Sequence, residues 1–175
     1  MPARRRKAVP PRTGGCGTLK VATWNVRSAR GPAFHAIGKA LDSLEVDIAF
    51  LQETKITRGR YPKKLQHGYH VISTDGFSAS RGGVAIVWRE RAHFVVEEQK
   101  KFHTNVITAR IIAGENKYYV VGCYCPPPLE DREEAWEHVK KAWKQCPQGF
   151  SPLLMGDLNL DIDRPDRTNR SRWTS

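Results

Sequence analysis

At 175 residues, with 39% hydrophobic and 27% charged residues, the chain suits one domain with a sizeable core and is too short for two comfortable ones. No run approaches the roughly 18 apolar residues of a membrane helix, and Ala8-Val9-Pro10-Pro11-Arg12 stands where a signal peptide would carry its apolar region, so neither is expected. The net charge of +11 falls only to +6 once the five charges of Arg4, Arg5, Arg6, Lys7 and Arg12 are set aside, which favours polyanions as partners, nucleic acid before an anionic membrane surface.

Residues 1–17, rich in Arg, Pro and Gly, read as a disordered basic arm, and Arg4-Arg5-Arg6-Lys7 points to a nuclear location. The four cysteines, Cys16, Cys123, Cys125 and Cys146, contain no C-x-x-C pair, as in a reduced intracellular protein. Cys123, Cys125, His138 and Cys146 match no ribbon or finger spacing, so no zinc site is assigned to them.

The globular part, residues 18–163, opens with an alternating strand over 19–24 that ends at Asn25. Phe34, Ile37, Leu41 and Leu44 then recur at steps of three and four, predicting an amphipathic helix over 33–44. A second strand over 46–52 closes on Glu53. Strand, helix, strand in this order predicts parallel pairing through a right-handed crossover, which brings Asn25 and Glu53 to one edge. The short strands at 69–73, 83–88, 93–96, 106–112 and 117–125 are separated by turn residues and predict antiparallel pairing.

In the last of these, alternation turns Tyr124 away from Cys123 and Cys125, and Pro126-Pro127-Pro128 stops the strand. A helix follows, acidic at Glu130, Asp131, Glu133 and Glu134 and basic at Lys140, Lys141 and Lys144, as the macrodipole favours. Trp136, Val139 and Trp143 are its expected buried stripe, the tryptophans serving the core rather than stacking on bases. Residues 164–175 form an Arg- and Ser-rich tail.

The strongest signal is Pro152-Leu153-Leu154-Met155-Gly156-Asp157-Leu158-Asn159-Leu160-Asp161. A buried strand delivers Asp157, Asn159 and Asp161 to a rim, with Gly156 permitting a sharp turn or a close approach. Asx turn chemistry accounts for the same residues. A calcium loop does not, because Ile162 stands where Gly is needed and Thr168 where Glu is needed.

Four strand ends therefore carry polar residues: Asn25 in Thr-Trp-Asn-Val-Arg-Ser, Glu53 in Phe-Leu-Gln-Glu-Thr-Lys, Tyr124 in Gly-Cys-Tyr-Cys-Pro-Pro, and Asp157 with Asn159 in Gly-Asp-Leu-Asn. Together with Arg81-Gly82-Gly83-Val84-Ala85-Ile86, this set resembles the endonuclease/exonuclease/phosphatase family, and Thr-Trp-Asn-Val-Arg-Ser is most similar to its LINE-type retrotransposon branch. The resemblance implies an α/β protein built as a four-layer α-β-β-α sandwich of two mixed sheets, with its last strands missing here.

It also implies Mg²⁺-dependent phosphodiester hydrolysis, Mn²⁺ being a substitute, with DNA as the foremost substrate. A hard cation prefers carboxylate oxygen and keeps several waters, so Glu53 can anchor Mg²⁺ with help from Asn25. By the resemblance, Asp157 orients or deprotonates the attacking water, Asn159 and Asn25 hold it and the scissile phosphate, and Tyr124 donates to a phosphate oxygen.

Two departures qualify the match. Arg27 stands where the apurinic-endonuclease branch often has Asp, and the six histidines, His35, His67, His70, His93, His103 and His138, all precede Asp157, whereas the family pattern continues with another Asp and a Ser-Asp-His. The expectation is therefore an incomplete member with weak or no nuclease activity alone. Its alternatives are a non-catalytic nucleic-acid-binding remnant and a phosphoesterase for another substrate.

Overall fold

A computed structural model of the chain describes residues 18–57, 60–90, 93–127 and 129–160. Its elements in order are β1 Val21–Asn25, α1 Ala33–Ser43, β2 Ile48–Gln52, β3 Lys64–Leu65, β4 Tyr69–Ser73, β5 Val84–Arg89, β6 Val95–His103, β7 Val106–Ala113, β8 Asn116–Tyr124, α2 Leu129–Trp143 and β9 Ser151–Asp157. The basic arm, Asp161, Asp163 and the 164–175 tail lie outside the described residues.

The strands form two mixed sheets, ordered β1-β2-β5-β4-β3 and β6-β7-β8-β9. Each sheet holds one parallel pair made by a helical crossover: β1 runs parallel to β2 through α1, and β8 parallel to β9 through α2. The intervening pairs β2·β5, β4·β5, β6·β7 and β7·β8 are antiparallel, as the short turn-separated strands require.

Three apolar layers hold the sandwich together. Phe34, Ile37 and Leu41 of α1 pack on Ala49, Leu51, Ala85 and Val87 of the first sheet. Ile48, Phe50 and Ile86 face Ile107, Ala109 and Val120 between the sheets. Val121 and Cys123 meet Val139 and Ala142 beneath α2. Strand alternation thus sends Ile48 and Phe50 to one layer and Ala49 and Leu51 to another, and burying each large side chain contributes about 1.5–3 kcal/mol. The result is the four-layer α-β-β-α architecture.

Some boundaries differ from those read off the sequence. β6 continues through Glu97, Lys100 and Lys101 to His103, with register shifts along the way. It is an edge strand whose polar outer residues carry no apolar alternation to detect. Trp143 is 40% exposed, and the inward face of α2 is built from Ala135, Val139 and Ala142 with Trp136 half-buried. No helix among the described residues is long and apolar enough to cross a membrane.

Candidate active site

Parallel pairing levels the strand ends. In the first sheet Asn25 lies opposite Gln52, so Glu53 is the next residue out. In the second, Tyr124 lies opposite Asp157. Asn25, Glu53, Tyr124 and Asp157 meet at this common end of the sandwich, and Asn159 joins them from the loop beyond β9.

One amide gathers the carboxylates. Asn25 Nδ2 donates to Glu53 Oε1 and to Asp157 Oδ2, both at 2.9 Å. The Tyr124 hydroxyl donates to the same Glu53 Oε1 at 2.9 Å. Backbone groups hold the frame: Arg27 N–H donates to Asn25 Oδ1 at 3.1 Å, and Asn159 N–H donates to Asp157 Oδ1 at 3.0 Å. Asn159 Nδ2 donates to the Cys125 carbonyl at 2.8 Å, while Cys125 N–H donates to the Asp157 carbonyl at 2.8 Å. The Gly-Asp-Leu-Asn segment is thus both an Asx-type turn and part of the constellation.

Backbone conformation is unusual here. Arg27, Glu53, Lys55 and Asn159 take φ values of 54°, 53°, 55° and 47°, four of the five non-glycine residues in the left-handed region among the described residues. Each such conformation costs on the order of 1 kcal/mol or more. The hydrogen bonds and strand ends around them hold these conformations in place. Gly156 shows a different constraint: at φ 151°, a Cβ would stand 1.9 Å from the Cys123 carbonyl oxygen across the β8–β9 pair.

Lys55 is the participant that sequence reading left out. Its Nζ lies 3.1 Å from Glu53 Oε2, with both side chains 21% exposed. The signal was present in Glu53-Thr54-Lys55, but only the left-handed turns at Glu53 and Lys55 bring the ammonium back onto the carboxylate. Burial by itself would raise the Glu53 pKa. Hydrogen bonds from Asn25, Lys55 and Tyr124, with the Lys55 charge, outweigh it and hold the carboxyl below its ordinary value. Burial, then the hydrogen bond to Glu53 and the Glu53 charge, push the Tyr124 phenol far upward, so it remains a donor.

Two carboxyl groups converging on one amide, with the Lys55 ammonium beside Glu53, form an oxygen-rich donor set suited to a hard divalent cation. The Asn25 amide presents its nitrogen to the carboxylates, and its oxygen accepts from Arg27 N–H. It spaces the two acids as the site stands.

The family model for the endonuclease/exonuclease/phosphatase family matches residues 22–175. The chain belongs to this family. Among relatives, it is 35% identical over 98 residues to human DNA-(apurinic or apyrimidinic site) endonuclease 2, a match covering 46% of this chain and 18% of that protein. It is 25% identical over 170 residues to Drosophila melanogaster recombination repair protein 1, covering 87% of this chain and 24% of the relative. An AP endonuclease from Archaeoglobus fulgidus superposes with a TM-score of 0.62 at 28% identity, covering 82% of this chain and 58% of that one. The chain thus spans about a quarter or less of the curated relatives' length.

Proposed function

We propose that the chain is a Mg²⁺-dependent phosphodiesterase acting on DNA, with Asn25, Glu53, Tyr124, Asp157 and Asn159 as its working residues. The observation that carries this reading is the Asn25 amide bridging Glu53 and Asp157, with Tyr124 on the same Glu53 oxygen. Such convergence of acids from two sheets serves chemistry better than stability, because like charges brought together cost free energy.

Glu53 would hold the metal, whose bound form polarises the phosphodiester and offsets charge on the leaving oxygen. Asp157 accepts a proton from the attacking water or orients it, its Oδ1 held by Asn159 N–H. Tyr124 and Lys55, directed at Glu53 as the site stands, would turn from it to supply a hydroxyl and a cation to a phosphate lodged over the rim. Asn25 and Asn159 keep these groups in register.

The basic composition and the apurinic-site endonuclease among the relatives favour DNA. Thr-Trp-Asn-Val-Arg-Ser alone supports a retrotransposon-type target, and Arg4-Arg5-Arg6-Lys7 a nuclear location. Nicking of supercoiled plasmid and cutting of a duplex with one abasic site, each in Mg²⁺ and in chelator, test the reading. Mg²⁺-dependent cleavage lost in Glu53→Ala and Asp157→Ala is the expected result. A folded chain that cuts neither substrate overturns it.

The net charge of +11 also supports a second reading, a non-catalytic nucleic-acid-binding module. Under that reading DNA binding persists in chelator, weakens with salt and is unchanged in Glu53→Ala.

A further inference from the structure

Away from the strand-end constellation, His103, Glu134 and His138 each offer one ligand atom, all within 4.8 Å of one another, the one such group found among the described residues. Glu134 and His138 stand four residues apart on α2 and so share a face. His103 ends β6 and comes from the sheet beneath. The two imidazoles stack at 4.4 Å between centroids and 6° between planes, and His103 Nε2 lies 3.5 Å from Glu134 Oε1.

We infer that His103, Glu134 and His138 form a second metal site, for a borderline transition ion of the Zn²⁺ class rather than for Mg²⁺. Two imidazoles and one carboxylate match the preference of such ions, and three protein ligands leave a fourth position for water. Mg²⁺ favours oxygen and gains little from imidazole.

Closing the site requires one imidazole to turn out of the stack, because in-plane lone pairs on two rings 6° from parallel do not converge on one ion. Ligand atoms around tetrahedral zinc are about 3.4 Å apart at the usual bond lengths, so the 4.8 Å cluster must contract by side-chain rotation. Glu134, 63% exposed at its side chain, has that freedom. The His103 ring faces a proton choice: Nδ1 accepts from Asn105 N–H at 3.3 Å, which places the ring proton on Nε2. Ligation through Nε2 moves that proton to Nδ1 and gives up this long contact.

The ion would staple α2 to the β6–β7 turn. That turn supports the strand-end site: the Asn105 carbonyl accepts from Tyr124 N–H at 2.9 Å, and Asn105 Oδ1 accepts from Gly83 N–H at 3.2 Å. Metal occupancy would therefore stiffen the support of Tyr124 without touching the catalytic carboxylates.

The test is titration of the chelator-stripped full chain with Zn²⁺ alone, by calorimetry and by thermal melting, for the wild type, His103→Ala, Glu134→Gln, His138→Ala and Glu53→Ala. One equivalent of Zn²⁺ with a rise in Tm is expected for the wild type and Glu53→Ala. Affinity should fall at least about tenfold in the other three. Glu134→Gln changes an exposed side chain and keeps the result readable if a histidine variant misfolds. Co²⁺ should give ligand-field bands without thiolate charge transfer. Equal affinity in the wild type and Glu134→Gln, thiolate bands from the cysteines, or no Zn²⁺ uptake by the folded wild type would each overturn the inference.

Discussion

Tyr124 donates its phenolic hydrogen to Glu53 Oε1 at 2.9 Å, joining the end of β8 to the residue after β2 across the gap between the two sheets. The ring is buried in the intersheet layer, whereas the hydroxyl works at the rim. Tyr124→Phe separates the two roles. It should lower stability by only about 1 kcal/mol, because one hydrogen bond is lost and the packing is kept. Its cleavage rate should fall by roughly 10²-fold or more, the usual effect of removing a donor aimed at developing charge. Melting and single-turnover cleavage measured on one preparation check both parts, and a rate equal to wild type would remove Tyr124 from the mechanism.

Glu53 gives the pH dependence its direction. Its folded pKa is depressed below 4.5, so the ionised carboxylate contributes stability that is fully present above 4.5 and is lost as pH falls through the lower folded value. Lys55→Met removes both a hydrogen bond and a positive charge from that carboxylate. The Glu53 pKa should rise, and loss of stability on acidification should begin at a higher pH. Carboxyl-carbon NMR titration of wild type and variant reads this directly. A pKa unmoved by the substitution would show that Asn25 and Tyr124 suffice to hold it down.

Fold and site were legible in the sequence to different depths. Apolar or alternating runs that end on polar residues mark Asn25, Glu53, Tyr124 and Asp157 as strand ends in the sequence, but β9, expected there as a buried strand, is a partly exposed edge strand with Leu153 41% exposed. What brings them together is pairing register, Asn25 opposite Gln52 and Tyr124 opposite Asp157, which only the sheets specify. Lys55 was missed because two left-handed residues fold it back, a conformation that neither Glu nor Lys signals. The His103, Glu134 and His138 cluster was missed because β6 runs farther than its apolar residues suggest, carrying His103 to α2. Trp143 was placed inside by helical period, yet the small Ala135 and Ala142 let α2 lie close to the sheet on a neighbouring face.

Two glycines in facing strands make contrasting predictions. A Cβ at Gly156 meets the Cys123 carbonyl oxygen at 1.9 Å, a backbone atom locked in the β8–β9 ladder. At Gly122 it meets the Phe50 ring at 2.6 Å, a side chain that can shift within the intersheet layer. Gly156→Ala should cost about 3 kcal/mol or more, with a Tm loss of roughly 10 °C, and should disturb Asp157. Gly122→Ala should cost about 1–2 kcal/mol and leave cleavage nearly intact. Comparable losses of activity per degree of Tm in the two variants would mean that Gly156 has no special part in aiming Asp157.

Asn25 tests whether the site is a charge assembly or a packing detail. Its amino group satisfies Glu53 and Asp157 at once. Asn25→Ala removes both bonds and leaves the two acids facing each other, with Lys55 the cation on Glu53. Asn25→Asp keeps the shape and adds a third negative charge between them, so it should raise carboxylate pKa values and destabilise the metal-free chain more than Asn25→Ala does. Divalent cation should reverse the order of stability, because a cation gains from the added carboxylate what the metal-free site loses to repulsion. Melting of both variants in chelator and in excess Mg²⁺ checks this. If Asn25→Asp remains the less stable variant by the same margin with and without Mg²⁺, then no cation is held by Glu53 beside position 25.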